Sequence, residues 1–268
     1  MIHEGAIPLS IGDLFGAAGL VCIAGAVSIA FRLGVEYRLA LASIRTVIQL
    51  LLIGYVLRWV FDVENGFAIA AVMTVMLIAA SRAALQRSSR SFRGAGWRAF
   101  LTLVLCGLTT TFVVTQTIIQ TEPWYEPRYI IPLLGMVLGN SLTGISLCID
   151  HLLEQFSTKR AVVEMELAHG ATGWEAGRDL LRDAVRRGMI PIINSMMVVG
   201  IVSLPGMMTG QILAGADPLE AVKYQIVVMF MIASATSLGC ILIALLVQRH
   251  LFNAKHQLRM DVIVNTDK

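Results

Sequence analysis

Charge is scarce in this chain. Only 15% of its 268 residues are Asp, Glu, Lys or Arg and 56% are hydrophobic, whereas a soluble globular domain carries roughly 25% charged residues. A water-soluble enzyme is therefore excluded as the first reading, and a chain that lives in an apolar solvent is expected. Its four cysteines, Cys22, Cys106, Cys148 and Cys240, form no CxxC and no Cys/His spacing of the kind that builds a zinc site, so they read as small apolar packing residues.

Other signatures are missing too. There is no GxxxxGK[ST] phosphate loop, so the chain is not expected to cradle nucleotide phosphates itself. There is no HExxH, and Gly139-Asn140-Ser141 lacks the second glycine that an intramembrane serine turn would need. Neither catalytic residues nor a bound cofactor are expected, and the chain reads as non-enzymatic. The N-region MIHEGAIPLSIGD holds no Lys or Arg, and the apolar run after it is too long for a signal peptide, so this first span is expected to stay in the mature protein.

Long apolar runs are what the chain does have. Stretches of the length that crosses a hydrocarbon core of roughly 30 Å as a helix fall at Ile11 to Phe31, Ile44 to Val60, Phe67 to Ala84, Ala99 to Ile119, Tyr129 to Leu153, Met189 to Leu213 and Tyr224 to Val247. The expected fold is all-α: a polytopic membrane bundle of seven helices. It forms one domain over residues 1–250, followed by a flexible cytoplasmic tail over 251–268. Of the 21 cations, 18 fall in alternate linkers or the tail, leaving Arg58, Arg128 and Lys223 on the other side. Because Lys and Arg are retained on the cytoplasmic side, the N-terminus is expected outside and the C-terminus inside. The formal charge of +3 is then explained by topology and by contact with anionic membrane lipid, with no call for nucleic acid.

The longest linker, TKRAVVEMELAHGATGWEAGRDLLRDAVRR from Thr158 to Arg187, repeats apolar residues at helical spacing through Leu180, Leu181, Ala184 and Val185. A structured cytoplasmic element is expected there. Within it Glu164, Gly170, Ala171, Thr172 and Trp174 place a Glu six residues before a Gly-Ala-Thr turn, with Pro191 at the next span. A glycine allows a sharp turn between two helices, which can present a compact knob to a partner. A solvated amphipathic helix at the membrane surface is the plainer alternative.

That pattern resembles the coupling segment of ABC transporter permeases. The blocks SIRTVIQLLLIGYVL, IPLLGMVLGNSLTGISL, ELAHGATGWEA and VSLPGMMTGQILAG more closely resemble the FetB-type permeases, bacterial ABC proteins associated with iron export, with plant relatives linked to aluminium tolerance. The resemblance implies a permease homodimer in the inner membrane that exports iron by alternating access. It also implies a separate FetA-type ATPase that uses ATP and Mg. A permease for another metal or small solute, and a self-sufficient secondary transporter, are the alternatives.

Residues that suit a path cluster in the sixth span. Pro205 removes a backbone donor and Gly206 eases a bend, so freed carbonyls there should face protein or water. Asn194, Ser195, Met207, Thr209 and Gln211 are candidates for its lining, with Asn140 from the fifth span and Gln49 from the second. The alternative for each is ordinary helix packing, and Gly135 and Gly139 form a GxxxG face suited to close helix approach. Arg45, on the same face as Gln49, can snorkel to lipid phosphates. Asp150, His151 and Glu154 cluster near the end of the fifth span and are the candidate ligands for a divalent ion. Pairing of those carboxylates with Lys159 or Arg160 is the competing reading. The methionines of the last two spans read as packing.

Overall fold

The computed structural model describes residues 10–63, 65–86 and 90–265. The start of the N-region and the last residues of the tail lie outside the described residues. Helix α1 (Ile11–Ala30) starts at a reciprocal cap, in which Ser10 Oγ accepts from Asp13 N–H and the Asp13 carboxylate accepts from Ser10 N–H. A tight turn through Arg32 and Gly34, both at positive φ, leads to α2 (Glu36–Val63), and Ser28 Oγ donates to Glu36 across the turn at 2.7 Å. Next come α3 (Gly66–Gln86) and one helical run, Ala95–Ile119. Within that run α4 (Ala95–Leu103) and α5 (Thr109–Val113) alternate with π-helical turns at Val104–Leu108 and Val114–Ile119.

The centre is built from α6 (Pro127–Thr158), α8 (Gly173–Val198) and α10 (Pro218–Leu251). Pro127 occupies the first turn of α6, where its missing N–H has no helical partner to lose. α6 and α10 contribute Leu134, Ile145, Leu152, Phe156, Ile243 and Val247 to the main core. More than half of the apolar window of α6 is buried, but none of that of α2. α1 and α2 form a peripheral hairpin whose apolar surface suits lipid, because a helix hydrophobic all round needs an apolar surrounding.

Among the described residues six helices are long and apolar enough to cross a membrane, so the chain is a multi-pass helical membrane protein. The stretch expected as a span at Met189–Leu213 is two helices. α8 ends at Val198, residues 199–205 turn, and α9 (Gly206–Leu213) follows. Gly200 at φ +83° and Pro205, which cannot donate to a helical ladder, account for the break. Pro191 does not break α8, which runs through it.

Two features depart from an all-α bundle with a flexible tail. Arg90–Phe92 (β1) pairs antiparallel with Ile263–Asn265 (β2). Between α10 and β2 the chain folds back on itself, with Phe252 bridging Leu258 and Val262 buried in the main core. The tail is therefore structured through Asn265. A short interrupted stretch of apolar residues such as Val262 and Ile263 carries too little periodicity to announce this.

Candidate functional site

The Gly170–Thr172 turn is assembled by two caps placed back to back. Helix α7 (Arg160–Ala168) ends with Gly170 at φ +94°; Gly170 N–H donates to Leu167 O and Ala171 N–H to Glu166 O. That pair of bonds is a Schellman motif, which requires the left-handed residue that glycine supplies without strain. Thr172 then starts α8 with a capping box: its Oγ1 accepts from Glu175 N–H, and the Glu175 carboxylate accepts from Thr172 N–H at 2.8 Å. These bonds hold the Glu175 carboxyl below the usual carboxylate range. Glu164 is held on α7 by Arg160, 2.7 Å away.

The element presents apolar surface outward. Val162, Met165 and Trp174 are exposed, while Val163 is buried. Beneath it lies the end of α10: Gln248 Nε2 donates to the carbonyls of Gly173 and Trp174 at 3.1 and 3.3 Å, and Gly173 N–H donates to His256 Nδ1 at 3.3 Å. A methyl group at Gly173 or Gly177 would meet the Phe252 ring or the Gln248 amide at 2.7 Å. The end of α10 and the start of the tail thus seat the first turn of α8.

At the other end of α8 lies a cavity of about 290 Å³ between α6, the break and α10. Of the candidates, Asn140, Ser195, Pro205, Gly206 and Met207 line it. Gln225, Ser203 and Met136 also line it and were not singled out by sequence. Gln225 is 94% buried, since only 6% of it is exposed, and its Oε1 has no hydrogen-bond partner among the described residues. Asn194 and Gln49 are exposed on their helices and do not line the cavity. Thr209 and Gln211 sit on α9 outside it; Thr209 Oγ1 donates to Pro205 O, and Gln211 Oε1 is buried without a partner among the described residues.

The remaining candidates resolve differently from their sequence reading. No three His, Cys, Asp or Glu side chains converge to hold a metal among the described residues. Glu154 lies 3.9 Å from His151 and 4.0 Å from Arg90, so the cation it faces comes from β1 and not from Lys159 or Arg160. Asp150 is on the shared i, i+4 face with Glu154, yet His151 lies about 100° around the helix from Asp150. A methyl group at Gly139 would meet nothing, whereas at Gly144 it would press on the Gly188 carbonyl at 2.9 Å, so the close helix approach is between α6 and α8 at that pair.

A family model described as "Uncharacterised protein family (UPF0014)" matches residues 11–252. The chain belongs to that family. It is 41% identical over 217 residues to "UPF0014 membrane protein slr1647" of Synechocystis, covering 80% of this chain and 83% of the relative. To "Probable iron export permease protein FetB" of Escherichia coli it is 34% identical over 241 residues, covering 89% and 91%. To "Protein ALUMINUM SENSITIVE 3" of Arabidopsis thaliana it is 33% identical over 248 residues, covering 92% and 89%. No solved structure matches the chain. As a UPF0014 member whose Synechocystis relative is named a membrane protein, and with apolar helices of spanning length, it is a multi-pass membrane protein.

Proposed function

We propose that this UPF0014 chain is the transmembrane permease subunit of an ATP-driven iron exporter of the inner membrane. The cargo is argued from the Escherichia coli relative named as an iron export permease, with which nearly the whole chain aligns. In this reading a separate FetA-type ATPase docks on the exposed Val162, Met165 and Trp174 around the Gly170 turn, and it hydrolyses ATP with Mg. Two permease copies form the path. The bundle crosses the membrane seven times, counting the broken α8–α9 segment as one crossing. Its N-terminus is outside and its tail inside, in keeping with the cation asymmetry of the linkers.

One observation carries the mechanism: α8 begins at the coupling turn and its far end walls the cavity. Its 26 residues make a rod of about 39 Å at 1.5 Å per residue. A push on the turn reaches Ile192 and Ser195 along one continuous helix that runs through Pro191, which suits alternating access by a non-catalytic subunit. Glu164, Gly170, Ala171, Thr172 and Trp174 form the docking element; Asn140, Pro205, Gly206 and Met207 form part of the path.

The test is to co-express the chain with the ATPase and replace Gly170 and Ala171 by Glu. Loss of complex assembly, or of stimulated ATP hydrolysis, is expected. Survival of both would remove the coupling assignment.

A further inference from the structure

A groove of about 630 Å³ runs between the first half of α8 and the side of α10. Arg178, Arg182 and Arg186 stand along it at i, i+4 and i+8, a spacing that puts all three on one flank of the helix. Leu181 and Val185 of α8 and Ile241 of α10 make its apolar side. Asp179 is the one carboxylate in the lining, against the three guanidinium groups. Asp183 lies 3.8 Å from Arg186, an exposed pair that holds it only weakly. Among the described residues no carboxylate pairs with Arg178 or Arg182.

The depth of the groove follows from its neighbours. A methyl group at Gly177 would meet the Gln248 amide, and one at Gly188 would meet Cys240 Sγ, so α8 and α10 run side by side in opposite directions over this stretch. Arg178 is therefore level with Gln248, and Arg186 reaches the level of Ile241. The 34 residues of α10 extend about 51 Å, and a hydrocarbon core of roughly 30 Å centred on them ends near Ala244. The groove thus straddles the border between hydrocarbon and head groups. Helical side chains lean toward the N-terminus of their own helix. Because α8 begins at the head-group end, its arginines reach into that layer while their stems stay along the apolar wall.

We infer that this groove holds an anionic phospholipid, its phosphate between Arg178 and Arg182 and an acyl chain laid on Val185 and Ile241. A basic pocket between helices at the membrane border suits such a head group, and guanidinium groups bind phosphate oxygens in a planar fork. A free anion would use the arginines but leave the apolar wall wet. A second copy centred on this groove by twofold symmetry would set arginine against arginine. The inference goes beyond the export reading and takes from it only the orientation, which makes the leaflet the inner one.

The full chain, purified in dodecylmaltoside, is titrated with dioleoylphosphatidylglycerol and separately with dioleoylphosphatidylcholine, and bound lipid is counted by native mass spectrometry. One phosphatidylglycerol per chain is expected to bind more tightly than phosphatidylcholine, by about fivefold for each arginine that faces its head group. The double variant Arg178→Gln, Arg182→Gln should lose that preference, and Arg58→Gln, which removes an exposed cation on α2, should keep it. Equal affinity for the two lipids overturns the inference, as does a preference that survives the double variant or falls as far in Arg58→Gln. Glycerol 1-phosphate that displaces the lipid at equal concentration would assign the arginines to free phosphate esters. Loss of chain dimers in the double variant, with lipid binding unchanged, would assign them to a second copy; either result also overturns the inference. If the double variant does not fold, Arg182→Gln alone decides: a loss of about fivefold in phosphatidylglycerol affinity is expected, and an unchanged affinity refutes the site. Detergent has no inner or outer face and neither ATPase nor cargo is present, so failure here leaves the orientation and coupling readings standing, and their failure leaves this result standing.

Discussion

Gly188 has no room for a side chain. A methyl group there would lie 2.7 Å from the Gly144 carbonyl oxygen and 2.8 Å from Cys240 Sγ, and the first of these is backbone that cannot swing away. Gly188→Ala is expected to destabilise the bundle by about 1–3 kcal/mol through overpacking, read as a lower unfolding midpoint in detergent. Gly139→Ala, with open space around it, serves as the control and should leave the midpoint unchanged. Sequence identified the glycine-rich face of α6 but not which glycine mattered, because the partner lies 44 positions away on another helix. The same limit hid Gln225. In the run YQIVVMFMI it is one polar residue among apolar ones, and its place in the cavity wall comes from other segments folding against α10. It also misled over Asp150, His151 and Glu154: spacing puts two carboxylates on one face, but says nothing of Arg90 arriving from another linker.

Among the elements, α8 depends most on its first turn. The Thr172–Glu175 box satisfies N–H groups that would otherwise have no helical partner, and Glu175 is ionised in it. Its carboxyl is held below the ordinary value in the folded chain, so the stabilisation is fully present above the pH range where an unfolded glutamate titrates. It fades as the pH falls through the lower folded value. The midpoint difference between wild type and Glu175→Gln should therefore be present at neutral pH and vanish in acid; a difference that persists in acid would assign the effect to shape and not to charge. This element was largely readable. The Gly-Ala-Thr turn after a helical repeat declares a stop and a start by local chemistry alone. So does the break at Pro205-Gly206, since each residue alters the backbone whatever surrounds it. The ribbon of Arg90–Phe92 with Ile263–Asn265 was not readable, because strands this short have no period and are created by their pairing.

For the molecule as a whole, the proposed orientation places the Gly170 turn and the tail on one side of the membrane and the α9–α10 loop on the other. In the variant Cys22→Ser, whose three remaining cysteines are buried, a cysteine introduced at the exposed Val162 and one introduced at the exposed Leu219 should differ in sealed, right-side-out vesicles. An impermeant maleimide is expected to label Leu219→Cys and spare Val162→Cys until the vesicles are opened. The reverse pattern would invert the topology. The hydrophobic runs and the cation asymmetry were enough to foresee a multi-pass bundle, because the bilayer imposes a length on every crossing. They were not enough to show that the apolar stretch Met189–Leu213 is divided between α8 and α9, since an apolar count is blind to where a helix stops.

In the proposed coupling mechanism, the contact of Gly188 with Gly144 would serve α8 as a fulcrum. From Gly173 to that point is about 22 Å, and from there to Val198 about 15 Å, at 1.5 Å per residue. A rod that rocks on such a bearing moves its two ends in opposite senses, so an inward stroke of the docked end becomes an outward stroke of the wall, scaled to about two thirds. Leverage of that kind trades distance for force: the short arm opens less than the motor travels, but it pushes harder against whatever keeps the gate shut.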